Sequence, residues 1–440
     1  MKFFRVCIIF FFSLLSVYSN SQDFHLSEGL EKFSVRFQHV GSLILIPVQI
    51  NGSVPLNFVV DTGSPYTIIT NIEAINYFNL NKGKPIKISG LGKNSHRLDA
   101  YLSHNNTIKV GDAASNSTDI VLLFEKDFDL SSRFGVPIYG IIGYDLLKEF
   151  VVEVNYTKEK VSFYKHGFFY KKKSRKLNKF EEIPMKIERK KPYLNLDSEI
   201  DGIHLDLKLL IDTGSWDAVW LFENQKENIN IPNLHIDDYL GFGLNGEIHG
   251  KKSRINVLEF GSNKIENPTA SFPDSTSVAN IRRLDRNGTL GSEILRRFTT
   301  IYDYKNQKLY IRKNNKFKEE FHYNMAGLEL YQPYPNLPYL EVVYVRENSP
   351  ADLAGLKEGD VIRYVNGKKI GIFQADVFDS RLSASKSDVI EISGKKRETI
   401  SLPELLDLFK TRAGERIHII YTRGSSDVEH HTGFVLQKSI

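Results

Sequence analysis

Two regions of this chain share one pattern of apolar runs and turn residues. In the first region, apolar residues 43–50 lead through Asn51-Gly52 to the apolar run 57–60. In the second, residues 192–197 lead through Asp201-Gly202 to the run 208–211. Asn-Gly or Asp-Gly between apolar runs is the strongest short-range signal of a β-hairpin. The pattern predicts a hairpin at the start of each region.

The similarity between the two regions continues downstream. Residues 140–150 carry an apolar-apolar-Gly segment and a short helical pattern, followed by strand-like runs as far as residue 164. Residues 288–298 and the runs up to residue 311 repeat this order. The glycines of these segments, Gly143 and Gly291, lie 82 and 79 residues after Asp61 and Asp212. A repeat of this length indicates a duplicated domain rather than a solenoid of short repeats.

Each copy carries the same four residues directly after an apolar strand: Asp61-Thr62-Gly63-Ser64 and Asp212-Thr213-Gly214-Ser215. Two carboxylates brought together share one proton, because like charges a few ångströms apart disfavour double ionisation. Such a pair supplies a base and an acid to one reaction. We therefore predict that Asp61 and Asp212 are catalytic. The pair titrates jointly, so the sequence does not identify the protonated partner.

With these motifs, residues 30–315 resemble the pepsin and retropepsin superfamily of aspartic proteases, in the bacterial retropepsin-like type with two lobes in one chain. The resemblance implies a mainly β fold of two β-barrel lobes related by a pseudo-twofold axis, and a peptide or protein substrate. It also assigns supporting roles around the dyad: hydroxyl cross-bracing by Thr62 and Thr213, close backbone approach at Gly63 and Gly214, and hydrogen bonds from Ser64 and Ser215 to the outer carboxylate oxygens.

Retropepsin-like enzymes close glycine-bearing hairpins over the substrate, and this chain offers one candidate in each half. The first flap candidate is Gly90, Leu91 and Gly92, and the second is Gly241, Phe242 and Gly243. Gly90 and Gly241 each lie 29 residues after their aspartate. Ordinary hairpin turns would look similar at any single glycine. The matched spacing favours two similar flaps.

The chain changes character after residue 316. An alternating run at 339–345 predicts a strand, and residues 348–367 resemble a PDZ domain, with a second helix expected at 401–410. PDZ domains bind peptides by strand addition, and we place the candidate groove at Tyr339, Leu340, Glu341 and Val342. Pro338 lacks an amide donor where a terminal carboxylate would bind. Peptide docking and a regulatory role both remain open, and residues 370–400 form an elaborated hairpin of unknown role.

The N-terminus has the basic start, short apolar stretch and small-residue exit of a secretory signal peptide, which we assign to residues 1–22. Cys7, the single cysteine, lies within it, so the mature chain has no thiol for a disulfide, nucleophile or thiolate metal site. We expect a periplasmic or extracellular protein without a membrane anchor after cleavage. The remaining boundaries are an N-terminal lobe at 24–170, a basic interlobe linker at 171–190, a C-terminal lobe at 191–315 and a PDZ domain at 320–440.

The net charge and the histidine spacing exclude two further classes of function. The net charge of +5 is modest, and the basic run at 171–176 lacks the aromatic or glycine pattern of a nucleic-acid-binding module. The histidines show no His-Glu-x-x-His spacing, so we expect no metal and no cofactor. The second aspartate lies in the same chain, so a dimer is not needed. The leading interpretation is an aspartic endopeptidase; the alternatives are a catalytically silent exported peptide-binding protein and an enzyme acting on a non-peptide acyl bond.

Overall fold

The structure is a computed structural model that describes residues 23–71, 77–88, 90–93, 98–124, 128–279, 285–334, 337–372, 391–392, 395–396 and 399–440. The predicted signal peptide at 1–22 lies outside the described residues. So does most of the predicted hairpin region at 370–400. In the part of the chain that is described, no helix combines the length and the apolar content needed to cross a membrane.

The described first part of the chain is mainly β, with three helices. Its elements are β1 His25–Leu26, β2 Lys32–Arg36, β3 Gln38–Val40, β4 Leu43–Ile50, β5 Leu56–Val60, β6 Thr67–Ile69, β7 Lys84–Ile88, β8 Leu98–Val110, β9 Ala113–Leu123, α1 Leu130–Phe134, β10 Gly140–Ile142, α2 Tyr144–Leu147, β11 Val151–Asn155, β12 Lys160–Tyr164 and α3 His166–Leu177.

The next part repeats this order. Its elements are β13 Glu181–Pro184, β14 Lys186–Glu188, β15 Lys191–Ile200, β16 Ile203–Asp212, β17 Val219–Leu221, a 3₁₀ turn at Gln225–Glu227, β18 His235–Gly243, β19 Gly246–Arg254, β20 Val257–Phe260, β21 Asn263–Glu266, β22 Thr269–Pro273, β23 Gly288–Gly291, α4 Ser292–Leu295, β24 Phe298–Asp303 and β25 Lys308–Lys313.

The C-terminal unit adds a smaller α+β arrangement. Its elements are β26 Leu328–Tyr331, β27 Leu340–Val345, α5 Pro350–Leu353, β28 Asp360–Val365, β29 Lys368–Ile370, β30 Glu391–Ile392, β31 Lys395–Lys396, β32 Thr399–Ile400, α6 Leu402–Thr411, β33 Arg416–Arg423 and β34 His430–Val435.

The predicted hairpins are confirmed in both halves. Asn51 and Gly52 have φ of 48° and 79°, and Asp201 and Gly202 have φ of 48° and 80°. Two successive residues with positive φ make the turn whose twist matches the flanking strands, and Asn, Asp and Gly tolerate that conformation best. These turns fix the register of β4 with β5 and of β15 with β16. Each central strand is therefore set so that it ends at its aspartate.

Each half folds into a lobe with the same strand order around the aspartate. In the first lobe the path β9-β6-β10-β5-β4-β8 closes through pairing of β8 with β9, which makes a barrel. In the second lobe, β22-β17-β23-β16-β15-β20 runs in the matching order. The molecule is mainly β, with two retropepsin-like lobes followed by the C-terminal unit. This confirms the predicted fold class.

A six-stranded sheet, which we call the interlobe sheet, joins the two lobes. Its order is β13-β25-β24-β11-β12-β2, so each lobe contributes three strands. β11 and β24 pair at its centre in antiparallel register from Val151↔Asp303 to Asn155↔Thr299. Apolar residues of both lobes belong to one continuous buried cluster. The two lobes are therefore packed as one body.

The segment predicted as a basic linker, residues 171–190, contains regular structure. It holds the second half of α3 and the strands β13 and β14. β13 pairs with β25 as β2 pairs with β12, so it is the counterpart of β2 in the second lobe. Lys171, Lys172 and Arg175 of α3 are exposed to solvent, and Lys176 forms an ion pair with Glu153. The second lobe thus begins about ten residues earlier than predicted. The many charged residues of this segment are typical of an exposed linker, so the sequence did not indicate a strand.

The C-terminal unit has its own apolar core, built from its sheet and α6. Ser401 caps α6, and Glu404 closes the capping box by accepting from the Ser401 amide. This arrangement fixes where the helix starts. Asn366 and Gly367 form the predicted hairpin between β28 and β29, with φ of 50° and 75°.

Candidate active site

The two aspartates stand at the ends of equivalent strands. Asp61 follows β5, and its amide donates to the carbonyl of Ile142 on β10 at 3.0 Å. Asp212 ends β16 and lies beside Gly291 of β23. A Cβ on Gly143 would meet the Ser64 carbonyl oxygen at 2.3 Å. The apolar-apolar-Gly segments therefore pass directly behind the turns, and glycine is needed for that contact.

The turns bring the two carboxylates face to face. Each turn glycine donates its amide to the aspartate of its own turn: Gly63 to Asp61 Oδ1 at 2.6 Å and Gly214 to Asp212 Oδ1 at 2.9 Å. A Cβ on Gly63 would lie 2.9 Å from Asp212 Cγ, and one on Gly214 would lie 2.6 Å from Asp61 Cγ. Each glycine thus packs against the opposite carboxylate, where a side chain would clash.

Thr62 and Thr213 brace the turns reciprocally, as predicted. The Thr62 hydroxyl donates to the Ile211 carbonyl at 2.7 Å and accepts from the Thr213 amide at 3.1 Å. The Thr213 hydroxyl donates to the Val60 carbonyl at 2.7 Å and accepts from the Thr62 amide at 3.1 Å. All four bonds cross between the lobes and are buried. They hold the two turns at one separation.

The two serines take a different role from the predicted one. The Ser64 hydroxyl donates to the carbonyl of Tyr66 at 2.8 Å, which turns it away from Asp61. The Ser215 carbonyl accepts from the Ser292 hydroxyl at 2.6 Å, and among the described residues no hydrogen bond joins the Ser215 hydroxyl to Asp212. The predicted bonds to the outer carboxylate oxygens are absent from the described contacts. Ser64 stabilises its turn instead, because its hydroxyl reaches a backbone acceptor two residues ahead.

The environment of the dyad favours one shared proton. Burial raises the pKa of Asp61 well above its usual range, and the charge and hydrogen bond of Asp212 raise this pKa further. Lys191 opposes the shift, because a nearby cation stabilises the ionised form. The pair therefore holds a proton at a pH at which isolated carboxyl groups are ionised.

The flap candidates of the two lobes meet each other. The Gly90 amide donates to the side-chain oxygen of Asn245 at 2.6 Å, and the Asn245 amide donates to the Leu91 carbonyl at 2.8 Å. Gly243 is packed so closely that a Cβ would lie 2.2 Å from the Leu91 carbonyl oxygen. Phe242 covers the cavity and stacks under the Arg133 guanidinium at 3.7 Å. All six flap candidates, including Gly92 and Gly241, lie at or beside this meeting point of two hairpins.

Beneath the flaps lies a cavity of about 700 Å³ whose floor is the dyad. Its first-lobe wall is mainly apolar, formed by Leu43, Val59, Ile68, Val121 and Ile141, and Arg133 adds one cation to it. Its second-lobe wall is partly charged, formed by Lys191, Leu210, Arg286 and Thr289. The C-terminal unit closes one end with Asn324, Glu329, Leu330, Leu406 and Lys410.

Trp216, one residue after the second Asp-Thr-Gly-Ser turn, lies where the three parts of the chain meet. Its ring lies against Gly41, where a Cβ would come within 2.1 Å, and its centroid is 5.2 Å from that of Phe134. Lys410 of α6 sits over the same ring at 4.0 Å. The C-terminal unit is thus in direct contact with a residue adjoining the active turn.

Buried charges continue along this junction. Asp217 accepts from the Trp220 indole at 2.7 Å and from Ser271 at 2.8 Å, and Lys252 lies 3.4 Å away. Burial and the charge of Asp238 raise the pKa of Glu329 to about 7. Across the junction, Arg346 of the C-terminal unit lies 3.4 Å from Asp238 of the second lobe, so these two opposite charges stabilise each other.

The groove predicted at Tyr339, Leu340, Glu341 and Val342 is placed on the wrong strand. β27 lies inside its sheet: Glu341 pairs with Tyr331 of β26 on one side and with Val361 of β28 on the other. A peptide cannot add to a strand whose edges are both paired. β26 is the edge strand next to β27, and both Leu330 of β26 and Leu406 of α6 line the cavity that holds the two aspartates.

Two site residues were missed from the sequence. Lys191 ends the basic run that suggested a linker, yet its side chain lines the cavity. Arg286 precedes β23 without a local motif and lines the same wall. For Lys191 a signal existed, because the hairpin repeat places it level with Asp212. Among the described residues, no cluster of histidine, cysteine, aspartate and glutamate side chains could hold a metal ion.

Comparison with known families agrees with this geometry. Residues 46–146 match the family model of an aspartyl protease domain, and residues 341–386 match that of a PDZ domain. No curated protein matches the chain significantly. The first match includes Asp61, and Asp212 is tied to it by the internal repeat. The chain therefore combines a retropepsin-like protease architecture with a PDZ domain, and domains of these two kinds bind peptides or proteins.

Proposed function

We propose that the chain is an aspartic endopeptidase in which Asp61 and Asp212 activate one water for attack on a peptide bond. The observation that carries this proposal is the reciprocal bracing of the two turns, which holds both carboxylates at the floor of one cavity. Such bracing is expected where the geometry of two groups must be held closely. A binding cleft alone would not need it.

In the proposed reaction, the water lies between the carboxylates. The ionised carboxylate takes a proton from the water as its oxygen attacks the scissile carbonyl carbon, and the protonated partner donates its proton to the carbonyl oxygen. Collapse of the tetrahedral intermediate breaks the C–N bond, with a proton passing to the leaving amine. The raised pKa of Asp61 supports a singly protonated resting dyad. The meeting flaps exclude solvent from the bound peptide.

The proposal is tested by Asp61→Asn and Asp212→Asn, assayed with a random peptide library read by mass spectrometry at several pH values. General acid–base catalysis contributes on the order of 10²- to 10⁴-fold, so we expect kcat/KM to fall by at least that range in each variant. Asp206→Asn, on the exposed part of β16, is the matched control and should retain activity. Unchanged cleavage in both dyad variants would rule out the mechanism. Binding without cleavage by the parent protein would favour a silent peptide-binding protein.

We further propose that the PDZ domain docks a peptide along the edge of β26, beside α6. The support is that Leu330, Leu406 and Lys410 border the cavity that holds the dyad, so one peptide can reach both places. Peptides retained by the Asp61→Asn protein in the same library identify such a docking sequence. If no retained peptide protects β26 from amide exchange, docking at this edge is wrong.

We propose that the protein works outside the cytoplasm, in the periplasm or the extracellular space. The support is the signal-like pattern of residues 1–22 and the location of Cys7, the single cysteine, within it. Neither a dimer partner nor a membrane anchor is required by the proposed site. N-terminal sequencing of the exported protein should give a start close to residue 23, and an uncleaved intracellular chain would contradict the proposal.

A further inference from the structure

Two cationic side chains stand on the second-lobe wall of the cavity. Lys191 begins β15. Because Tyr193 pairs with Leu210 in antiparallel register, Lys191, two residues earlier, lies opposite Asp212. Arg286 lies two residues before Gly288, which pairs with Leu209 on the other side of β16. Both side chains line the cavity and act electrostatically on Asp212. Lys191 thus lies beside Asp212 on one side of β16, and the Arg286 side chain reaches the cavity from the segment before β23 on the other side.

Two other cations of the cavity, Lys252 and Arg133, have polar partners, whereas Lys410 lies over the Trp216 ring and Arg286 lies 5.4 Å from the Phe222 ring centroid. Lys252 lies 3.4 Å from Asp217, and Arg133 donates to the Tyr239 hydroxyl at 3.2 Å. Lys191 and Arg286 make no ion pair or side-chain hydrogen bond within the described ranges. Arg286 Nε and Nη1 are buried, and no described group accepts a hydrogen bond from either. Burying a charge without a partner costs free energy, so this arrangement suggests that a partner arrives with a ligand.

The balance of charge points to an anion. A dyad that holds one shared proton carries one negative charge, whereas the wall beside it carries the two positive charges of Lys191 and Arg286. Burial and mutual repulsion lower the pKa of Lys191, and burial lowers the pKa of Arg286, so each cation is held at a cost. One further negative charge would balance the site. In a peptide, that charge is a carboxylate.

The first lobe has apolar residues at the equivalent positions. Leu43 stands beside Asp61 as Lys191 stands beside Asp212, because Leu45 pairs with Val59 as Tyr193 pairs with Leu210. Ile138 precedes Gly140 as Arg286 precedes Gly288, and both Leu43 and Ile138 are buried. Of these two residues, Leu43 lines the cavity and Ile138 lies in the core behind it, so the walls differ in charge at one matched position, and Arg286 adds a second cation to the second-lobe wall. A substrate that fits both walls must be equally asymmetric.

We infer that Lys191 and Arg286 form a carboxylate-binding subsite, so that the favoured substrate places an apolar side chain on the first-lobe side of the scissile bond and a carboxylate on the second-lobe side. This inference rests on the proposed peptidase function. The planar Arg286 guanidinium binds both carboxylate oxygens, and Lys191 contributes a point charge. The carboxylate is either an acidic side chain or the C-terminus of the peptide.

The test uses peptides that differ at one position beside the scissile bond, with Glu, Gln or Leu, each made with a free and an amidated C-terminus. A charge-assisted hydrogen bond corresponds to roughly ten- to a hundredfold in kcat/KM, so we expect that preference for the carboxylate over its uncharged analogue. Arg286→Leu should remove the preference, and Arg286→Lys should restore part of it. Arg312→Leu is the matched control, since the Arg286 guanidinium lies 5.4 Å from the Phe222 ring centroid and the Arg312 guanidinium lies 4.7 Å from the Phe180 ring centroid, outside the cavity. A preference for Glu in amidated peptides identifies the side chain; a preference for the free terminus identifies the chain end.

Binding to the inactive Asp61→Asn protein, measured by calorimetry, separates the subsite from the reaction. Tighter binding of the Glu peptide than of the Gln peptide, lost in Asp61→Asn/Arg286→Leu, supports the subsite even if the parent cleaves nothing and the peptidase proposal fails. Equal cleavage and equal binding of all peptides, with Arg286→Leu unchanged, would overturn the subsite while leaving the peptidase intact. Circular dichroism of each variant shows whether it is folded.

Discussion

The two lobes share their Asp-Thr-Gly-Ser turns but differ in the walls around them. At the turns, Thr62 and Thr213 make equivalent hydrogen bonds of equal length: each hydroxyl donates at 2.7 Å and accepts at 3.1 Å. On the walls, Leu43 of the first lobe stands where Lys191 stands in the second, and the sequence counterpart of Arg286 is Ile138, which lies in the core. A symmetric pair of carboxylates requires symmetric support. A peptide has direction, so the walls that contact its side chains are under no such constraint.

The largest effect is expected from Thr62→Val or Thr213→Val, which test whether the two lobes support the turns equally. Each change leaves a buried carbonyl and a buried amide of the opposite lobe without a partner, at about 1–3 kcal/mol for each group. We expect each variant to lose about 2–4 kcal/mol in the free energy of unfolding, and both to lose similar amounts. Urea denaturation measures this.

Thr62→Ser and Thr213→Ser keep the hydroxyl and provide the controls. They should lose far less stability than the valine variants, because only a methyl group is removed. A large loss in one lobe with none in the other would show that the cross-brace does not act reciprocally.

The asymmetric part is tested by Lys191→Met against Leu43→Met. Lys191 lowers the pKa of Asp61, so removal of its charge raises the pKa of the dyad. The singly protonated form then persists to higher pH, and the pH profile of kcat/KM should shift upward. Leu43→Met changes no charge and should leave the profile in place. An unshifted profile in Lys191→Met would mean that the walls do not differ electrostatically at the dyad.

The smallest expected effect concerns the contact between the flaps. Lys93 pairs with Glu247 of the opposite flap at 2.5 Å, and both side chains are substantially exposed. Exposed ion pairs contribute about 0.2–1 kcal/mol and weaken in salt. Glu247→Gln should therefore speed amide exchange slightly at Lys93 and Asn245, whose amides donate to the opposite flap, at low salt only. A large, salt-independent increase would show that this pair, rather than the backbone bonds, holds the flaps together.

Sequence reasoning predicts the features whose signals are local. The Asp-Thr-Gly-Ser turns, the Asn51-Gly52 and Asp201-Gly202 hairpins and the flap candidates depend on short motifs, and the repeat of these motifs shows that they belong to two halves of one site. The reciprocal threonine bonds follow from the same resemblance. The resemblance does not predict the observed hydrogen bond of Ser64, because the direction of a hydroxyl depends on which acceptor lies nearest in the folded turn.

Features that depend on pairing between distant segments were not predictable in this way. The sequence of β13 resembles a charged linker, and only its pairing with β25 in the folded protein identifies it as a strand. The edge of the PDZ sheet depends on whether β26 or β27 lies outermost, which strand propensity does not decide. Arg286 has no motif of its own, and only the register of β23 against β16 places it at the cavity.

The interlobe sheet has a consequence for the timing of folding. β2, near the start of the described chain, and β25, ending at Lys313, are strands of the same sheet, and the central β11–β24 pair joins residues about 150 positions apart. Contacts between such distant segments form slowly and require both partners to be present. A nascent chain that has emerged only as far as the first lobe therefore carries a single aspartate and an incomplete sheet. The proposed hydrolytic site is complete only when synthesis has passed residue 313, so under this proposal an unfinished chain has no peptidase activity.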